Sequence, residues 1–427
     1  MMKAAKKLFL TTILVLSSTQ VLCMICDSRY FPFFPVIHTR IEGKESWFSF
    51  NPFFTRADSA YDWNENEIPI PALWKEYNQK KLSLALDLVG LPDPFPAPFK
   101  GTNPIWAIEQ KIHAQGLAFT FEKHLFEPLA IGFSWLFMHV NSRQCFCLKD
   151  RHDFQLEGHL EELEDARLAM HRSLGICEAY SSRGGMGDFD CYLRVGKIWD
   201  YPYRLRRLDA GVTLGLLLPA GKERDINSPS TVPFGGDGHW GVYGRADAEL
   251  ELKEDLKVGF IGRLGKRFQK TRCMRLPVAG EHPMFGALIA PVSVSPGVNA
   301  MFTAYGSVEN LRAGLGLRVG LNLSMQERPS WCDMRSTADK KSLPVMFSDE
   351  GCRIEDQNRQ DFYRLSDIDG WKSDYIFVNV FYDFGKTAPE RGYKPVLTFS
   401  WDFPYCFWAS EYNIRTHRIS LGIEVNF

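Results

Sequence analysis

The chain is organised by a period of two. Between residues 311 and 324, Leu311, Ala313, Leu315, Leu317, Val319, Leu321 and Leu323 alternate with Arg312, Gly314, Gly316, Arg318, Gly320, Asn322 and Ser324. Successive side chains of a strand point to opposite faces, so this segment has one apolar face and one polar face. The last residues repeat the pattern, with Ile419, Leu421, Ile423, Val425 and Phe427 set against Arg418, Ser420, Gly422, Glu424 and Asn426. A hairpin does so again. Val242, Ala246, Ala248, Leu250 and Leu252 alternate with Arg245, Asp247, Glu249 and Glu251; after a turn at 253–255, Val258, Phe260, Gly262 and Leu264 run against Arg263 and Lys266. Further strands are predicted at 47–54, 116–122, 129–140, 190–199, 208–218, 298–306, 374–384 and 394–403, about twelve in all.

Alternation over this many residues exceeds the five or six usual for a soluble sheet and suits a tilted membrane crossing. An arginine on the lipid side at mid-membrane would cost roughly 2–4 kcal/mol, so the charged face belongs inside. The expected fold is all-β, a transmembrane antiparallel up-and-down β-barrel of about twelve strands, with short helices in the N-terminal region. Connection lengths agree. Turns are predicted at 123–127, 200–207, 253–255, 307–310 and 385–393, and outer loops at 55–115, 141–189, 219–240, 268–297, 326–373 and 404–413. Apart from the last, every outer loop is longer than every turn. A soluble β-sandwich is the rival fold, and strand length weighs against it. In 55–115, Pro71 opens a helix to Leu88 on the spacing of Leu73, Tyr77, Leu84 and Leu88; Asn103 before Pro104 caps another that reaches Ile112. These helices cover or plug the pore, or the segment holds two further strands and the count is fourteen.

Composition adds the compartment. Lys3, Lys6 and Lys7, the apolar run Leu8 to Leu16 and the end at Ser17 to Cys23 read as a signal peptide over 1–23, leaving 24–427 as the barrel. No later stretch of about 18 apolar residues predicts a membrane helix. The formal net charge of −1 gives no basic footprint, which argues against a nucleic-acid partner. A final strand ending on Phe427 resembles the assembly signal of Gram-negative outer-membrane barrels. That resemblance implies the outer membrane as location, its lipid as surroundings and the barrel-assembly machinery as partner.

Export also permits disulfides. Cys145, Cys147, Cys177, Cys273, Cys332, Cys352 and Cys406 fall in predicted outer loops, and Cys191 opens the strand descending from one. They are expected to brace those loops, with Cys332 and Cys352 locally attractive as a pair. In the lumen, Arg245, Arg263, Arg312 and Arg318 are expected to face Asp247, Glu249, Glu251 and Glu424, as a charge-lined constriction or as interior salt bridges. Trp199, Tyr201 and Tyr203 at one strand end, and Trp401, Phe403, Tyr405, Phe407 and Trp408 at another, read as interface girdles. No cofactor or metal is predicted. The glycines at 236–241 are followed by a strand rather than a helix, and Asp367, Asp369 and Gly370 lack the remaining calcium ligands. His152, His159, Glu157 and Glu161 lack zinc spacing on one helical face. No catalytic constellation appears, and an enzyme is not predicted.

Residues 185–268 carry a resemblance. Gly185-Met186-Gly187-Asp188 opens a strand; Thr213 to Leu218 runs into Pro219-Ala220-Gly221; Phe234-Gly235-Gly236-Asp237-Gly238 and a charged hairpin follow. The arrangement resembles the barrels of phenol meta-pathway operons (MetA-type), relatives of the FadL-like transporters. It implies passive uptake of small, hydrophobic or aromatic molecules through a porin-like channel. The alternative is a structural or surface-interaction protein with disulfide-braced loops.

Overall fold

In the computed structural model, which describes residues 28–31, 46–149, 159–176, 179–201, 206–345, 370–387, 394–406 and 410–427, the period-two segments form one antiparallel ring. Its strands are β1 (Trp47–Tyr61), β2 (Ile105–Phe126), β3 (Leu129–Leu148), β4 (Phe189–Asp200), β5 (Arg207–Leu218) and β6 (Gly241–Lys253). The ring continues through β7 (Leu256–Arg267), β8 (Val298–Arg312), β9 (Leu315–Gln326), β10 (Trp371–Asp383), β11 (Lys394–Pro404) and β12 (Asn413–Asn426). Each pairs with the next in sequence. β1 pairs on one side with β2, from Trp47 opposite Glu122 to Ala57 opposite Ile112, and on the other with β12, from Trp47 opposite Asn426. Closure leaves the wall no edge strand, which is what hydrocarbon surroundings require of a sheet.

The predicted faces are the observed ones. On β9, Leu315, Leu317, Val319 and Leu321 point outward and are exposed, whereas Gly316, Arg318, Gly320, Asn322 and Ser324 are buried inside. On β12, Ile419, Leu421 and Ile423 face out while Gly422, Glu424 and Asn426 face in. The twelve predicted strands are all present, with shifted ends.

Three expectations fail locally. The strand expected over 311–324 begins at Leu315. Asn310, Ala313 and Gly314 have φ of 58°, 47° and 89°, and this left-handed stretch makes Leu311, Arg312 and Ala313 an exposed hairpin end. The helix expected from Asn103 to Ile112 is strand. Trp106, Ile108, Gln110, Ile112 and Ala114 are buried at every second position, a pattern a helix would scatter around its circumference. Pro71 instead lies in a 3-10 turn, Ile70–Leu73, and the helix (α1, Gln79–Val89) starts later, where the Asn78 side chain accepts from Lys81 N–H at 3.0 Å. Gly90 ends it at φ 73°.

Above the ring, the ends of β2 and β3, strands of 22 and 20 residues in all, extend as a two-stranded arm. Against it pack α1, α2 (Leu160–Ser173) and the loop around Phe285, burying Leu82, Leu86, Trp106, Leu163, Met170 and Phe285 in a cap. A second apolar cluster fills the outer mouth, where Tyr30, Phe31, Trp74, Val232 and Phe234 meet the wall residues Phe53, Ile112 and Leu136. Lys270–Leu276, Leu288–Ser295 and Ser330–Asp333 form a separate three-stranded sheet.

The disulfide expectation does not hold among the described residues, where Cys145, Cys147, Cys191, Cys273, Cys332 and Cys406 carry free thiols. Cys145 and Cys147 lie on β3 rather than in a loop, two positions apart, so their side chains run parallel instead of meeting. Cys273 and Cys332 sit on the two outer strands of the three-stranded sheet, roughly 10 Å apart across the central one, beyond disulfide reach. Cys177, Cys352 and the segment expected to be a signal peptide lie outside the described residues.

Candidate functional site

The inward faces of β4 to β9 build a continuous polar wall from a repeated unit. Tyr192, Tyr243 and Tyr305 each lie flat against a neighbouring strand at a glycine directly opposite in register, respectively Gly132, Gly215 and Gly259. A Cβ on any of these glycines would stand inside the van der Waals surface of the ring. Each phenol donates to a carboxylate: Tyr192 to Glu122 at 3.1 Å, Tyr243 to Asp190 at 2.6 Å and Tyr305 to Glu249 at 2.7 Å. Each ring also carries a guanidinium on its face. Arg245 lies 5.7 Å from the Tyr192 centroid, Arg263 4.0 Å from Tyr243 and Arg318 5.4 Å from Tyr305.

The units are linked by ion pairs. Arg194 donates to Asp209 at 3.0 Å and to Asp247 at 2.7 Å, and Arg245 approaches Asp247 at 3.7 Å. Lys257 reaches Glu249 at 3.6 Å and Glu309 at 2.7 Å; Lys386 holds Glu309 at 3.1 Å and also pairs with Asp255 at the turn end. So far from water these linked charges are tolerated because each finds a counter-charge.

Of the sequence-predicted residues, Arg245, Asp247, Glu249, Arg263 and Arg318 meet on this wall. Glu251 lies at its turn end, 3.9 Å from Arg206. Glu424 is inward on the far side, in register with Ser49 and Val396. Arg312 is not in the lumen but in the exposed hairpin end. Arg194, the three tyrosines and their glycines were missed. Their signal was strand parity, which places each inside once the outward apolar face is fixed, and the tyrosines stand opposite glycines only when the strands are laid in register.

The outer end of the wall is gathered by Asp188. The strand leading into β4 is interrupted there: Tyr180–Met186 pairs with β3, and Gly187 and Asp188 break the ladder. The Asp188 carboxylate, completely buried, accepts from Gly221 N–H at 3.2 Å and Gly236 N–H at 2.6 Å, and takes Arg267 Nη1 at 2.9 Å. Arg267 also donates to the His239 carbonyl at 2.7 Å. A side chain on Gly235 would overlap the carboxylate, and one on Gly236 would overlap the guanidinium. The three short stretches at 185–188, 219–221 and 234–238 therefore meet at one charge, which explains Gly221, Gly235 and Gly236.

Above Asp188 opens a vestibule of about 410 Å³ between the N-terminal residues 28–30, the loop 219–240 and the three-stranded sheet. Arg224 donates to the Tyr30 hydroxyl at 2.7 Å, and Thr416 to the Tyr30 carbonyl at 2.8 Å, fixing this segment in the mouth.

No protein-family model and no curated protein matches the chain. Among solved structures it is similar to an outer-membrane channel from Pseudomonas putida F1, with a TM-score of 0.48 and 13% identity over 92% of this chain and 100% of that chain. It is also similar to a deletion mutant of the TodX monoaromatic hydrocarbon channel, at a TM-score of 0.32 and 8% identity over 90% of each chain. A FadL homologue of Pseudomonas aeruginosa gives a TM-score of 0.30 and 8% identity, again over 90% of each. With its closed ring, its outward apolar belt and its inward polar wall, the chain is a twelve-stranded transmembrane β-barrel.

Proposed function

We propose that the protein is a passive outer-membrane channel for small, apolar or aromatic molecules. The observation that carries this reading is the continuity of the polar wall. From Asp188 and Arg267 at the outer mouth it descends through Tyr243, Arg245 and Asp247 to Glu249, Lys257 and Glu309 at the turn end. A barrel serving only as a scaffold needs no file of charges from one end to the other, since an apolar filling would stabilise it as well. Tyrosines with hydroxyls pinned to carboxylates, each beneath a guanidinium, line the wall with fixed polar groups suited to ordering water along a path for small solutes.

Single-channel recording and liposome-swelling measurements on the refolded protein test the reading. Ohmic steps and entry of small solutes are expected, with conductance or selectivity altered when Arg194, Asp209 and Asp247 are neutralised together. Stable insertion without conductance or solute entry would refute the channel.

A further inference from the structure

On the arm above the ring, β3 carries two thiols that the channel does not use. Cys145 and Cys147 lie two positions apart, so both project from the same side of the strand, the first exposed and the second half-buried. Neither thiol has a hydrogen-bond or ionic partner among the described residues. The other side of the same segment is pinned into the cap. Gln144 donates to the Pro229 carbonyl at 3.3 Å, Phe146 meets the rings of Tyr77 and Phe285 edge-on at 5.4 and 5.8 Å, and Leu148 is buried. The two thiols are therefore presented by backbone that is held from behind.

Spacing decides what the pair can do. Residues two apart on a strand stand about 6.6–6.8 Å from each other. A disulfide needs Cβ atoms about 3.8 Å apart, so the two thiols do not close on each other. An ion in line between two sulfurs, with a metal–sulfur distance of about 2.3 Å like that of a zinc–thiolate bond, asks for sulfurs about 4.6 Å apart. Each thiol reaches that spacing by leaning about 1 Å along the strand, a direction that strand rotamers allow. The donor set also selects the ion. Among the described residues no group of three or more His, Cys, Asp or Glu side chains is arranged to hold a metal, so neither a four-coordinate zinc site nor an oxygen shell for calcium is assembled here. Two thiolates suffice for a soft ion in linear coordination.

We propose that Cys145 and Cys147 form a two-thiolate site for a soft monovalent cation of the Cu(I) and Ag(I) class. Binding exchanges two S–H protons for two metal–sulfur bonds, with no change of oxidation state, and leaves a complex of one net negative charge. Cations bracket that charge. Arg143 precedes the pair on the same side of β3, with Lys111 opposite it on β2, and Lys149 follows just past the strand end. Glu109 lies opposite Cys145, and Glu76 pairs with Lys149. The inference stands apart from the channel reading, because the site lies on the exposed side of the arm and not in the lumen.

The test titrates Cu(I) into the full chain, reduced, in detergent and without oxygen, against the chelator bicinchoninate. One equivalent is expected to be taken from the chelator. Cys145→Ser and Cys147→Ser should each weaken that equivalent about a hundredfold or more, the scale on which a second linked ligand raises affinity. Cys273→Ser, which removes an exposed thiol on the separate three-stranded sheet, should leave it unchanged. Ag(I) should displace the copper, whereas Zn(II), which asks for four ligands, should not. X-ray absorption at the copper edge should show two sulfur neighbours, and heat-modifiable gel mobility checks the folding of each variant. No equivalent held against the chelator, a tight equivalent that survives either serine variant, or copper with three or more sulfur neighbours would overturn the proposal.

Discussion

The Asp188 carboxylate and the Arg267 guanidinium meet at 2.9 Å in the outer mouth of the barrel, with the Asp188 side chain completely shielded from solvent. The pair joins the break before β4 to the end of β7, and the same carboxylate collects two backbone N–H groups from the intervening loop. Removing one member of such a pair strands a buried charge. Asp188→Asn is therefore expected to destabilise the folded barrel by roughly 3–5 kcal/mol, measured by urea unfolding in detergent. The double variant Asp188→Asn, Arg267→Gln should recover a substantial part, as contacting residues couple in a double-mutant cycle. Additive losses would show that the two side chains act independently.

Orientation of the wall gives a second prediction. Leu317 is 36% exposed on the lipid side and its neighbour Arg318 3% exposed inside. Leu317→Arg should cost about 2–4 kcal/mol at mid-membrane depth and cripple assembly into the membrane. Arg318→Ala should assemble, since it leaves Tyr305 bonded to Glu249 and removes a cation rather than exposing one. Heat-modifiable mobility of the two variants after refolding into vesicles decides, and the reverse order would invert the assignment of faces.

Much of this was legible beforehand because a barrel strand states its two faces at every residue. The inward placement of Arg245, Asp247, Glu249, Arg263 and Arg318 follows from parity alone. Parity does not fix where a strand ends. Arg312 has the inward parity of β9, yet left-handed residues on both sides of it turn the chain first. Nor does parity give register, so neither Tyr243 opposite Gly215 nor Arg194 between Asp209 and Asp247 was visible. The cysteines misled for a related reason: outer-loop assignment for Cys145 and Cys147 assumed that strands stop at the membrane, whereas β2 and β3 continue beyond the ring to carry the cap.

The tyrosine–glycine contacts predict a specific non-additivity. Tyr243 occupies the space where a Gly215 side chain would stand. Gly215→Ala should displace the ring from its bond with Asp190 and cost about 1–3 kcal/mol as an overpacking change. In a Tyr243→Ala background that cost should largely vanish, because the new methyl group then enters space the ring has left. Equal penalties in both backgrounds, read by urea unfolding, would mean the glycine serves some other purpose.

The cap should loosen in acid while the ring stays closed. His282 is buried with Nε2 donating to the Pro71 carbonyl at 3.0 Å and Nδ1 accepting from Met284 N–H at 3.2 Å, an arrangement open only to the neutral ring. Burial, with Lys75 nearby, lowers its pKa from 6.5 to about 4. His171, bonded to the Tyr77 hydroxyl at 2.9 Å, is lowered from 6.5 to about 3 by burial and by Arg167 and Arg275. Both rings take a proton more readily once the cap opens. Their stabilisation is therefore complete above pH 6.5 and is lost as pH falls, through about 4 for His282 and about 3 for His171. For His282 the acid limit corresponds to roughly 3 kcal/mol. Glu281, whose carboxyl is raised by burial, works in the opposite direction and only toward the carboxylate range. Hydrogen exchange corrected for intrinsic pH dependence should show α1 and α2 losing protection between pH 7 and 4.5, with the strands of the ring unchanged. His282→Gln, which can still donate to Pro71 but does not titrate, should roughly halve the slope and leave the share carried by His171. Protection that ignores pH, or a His282→Gln variant with the slope of the parent, would show that the cap is not held by neutral histidine.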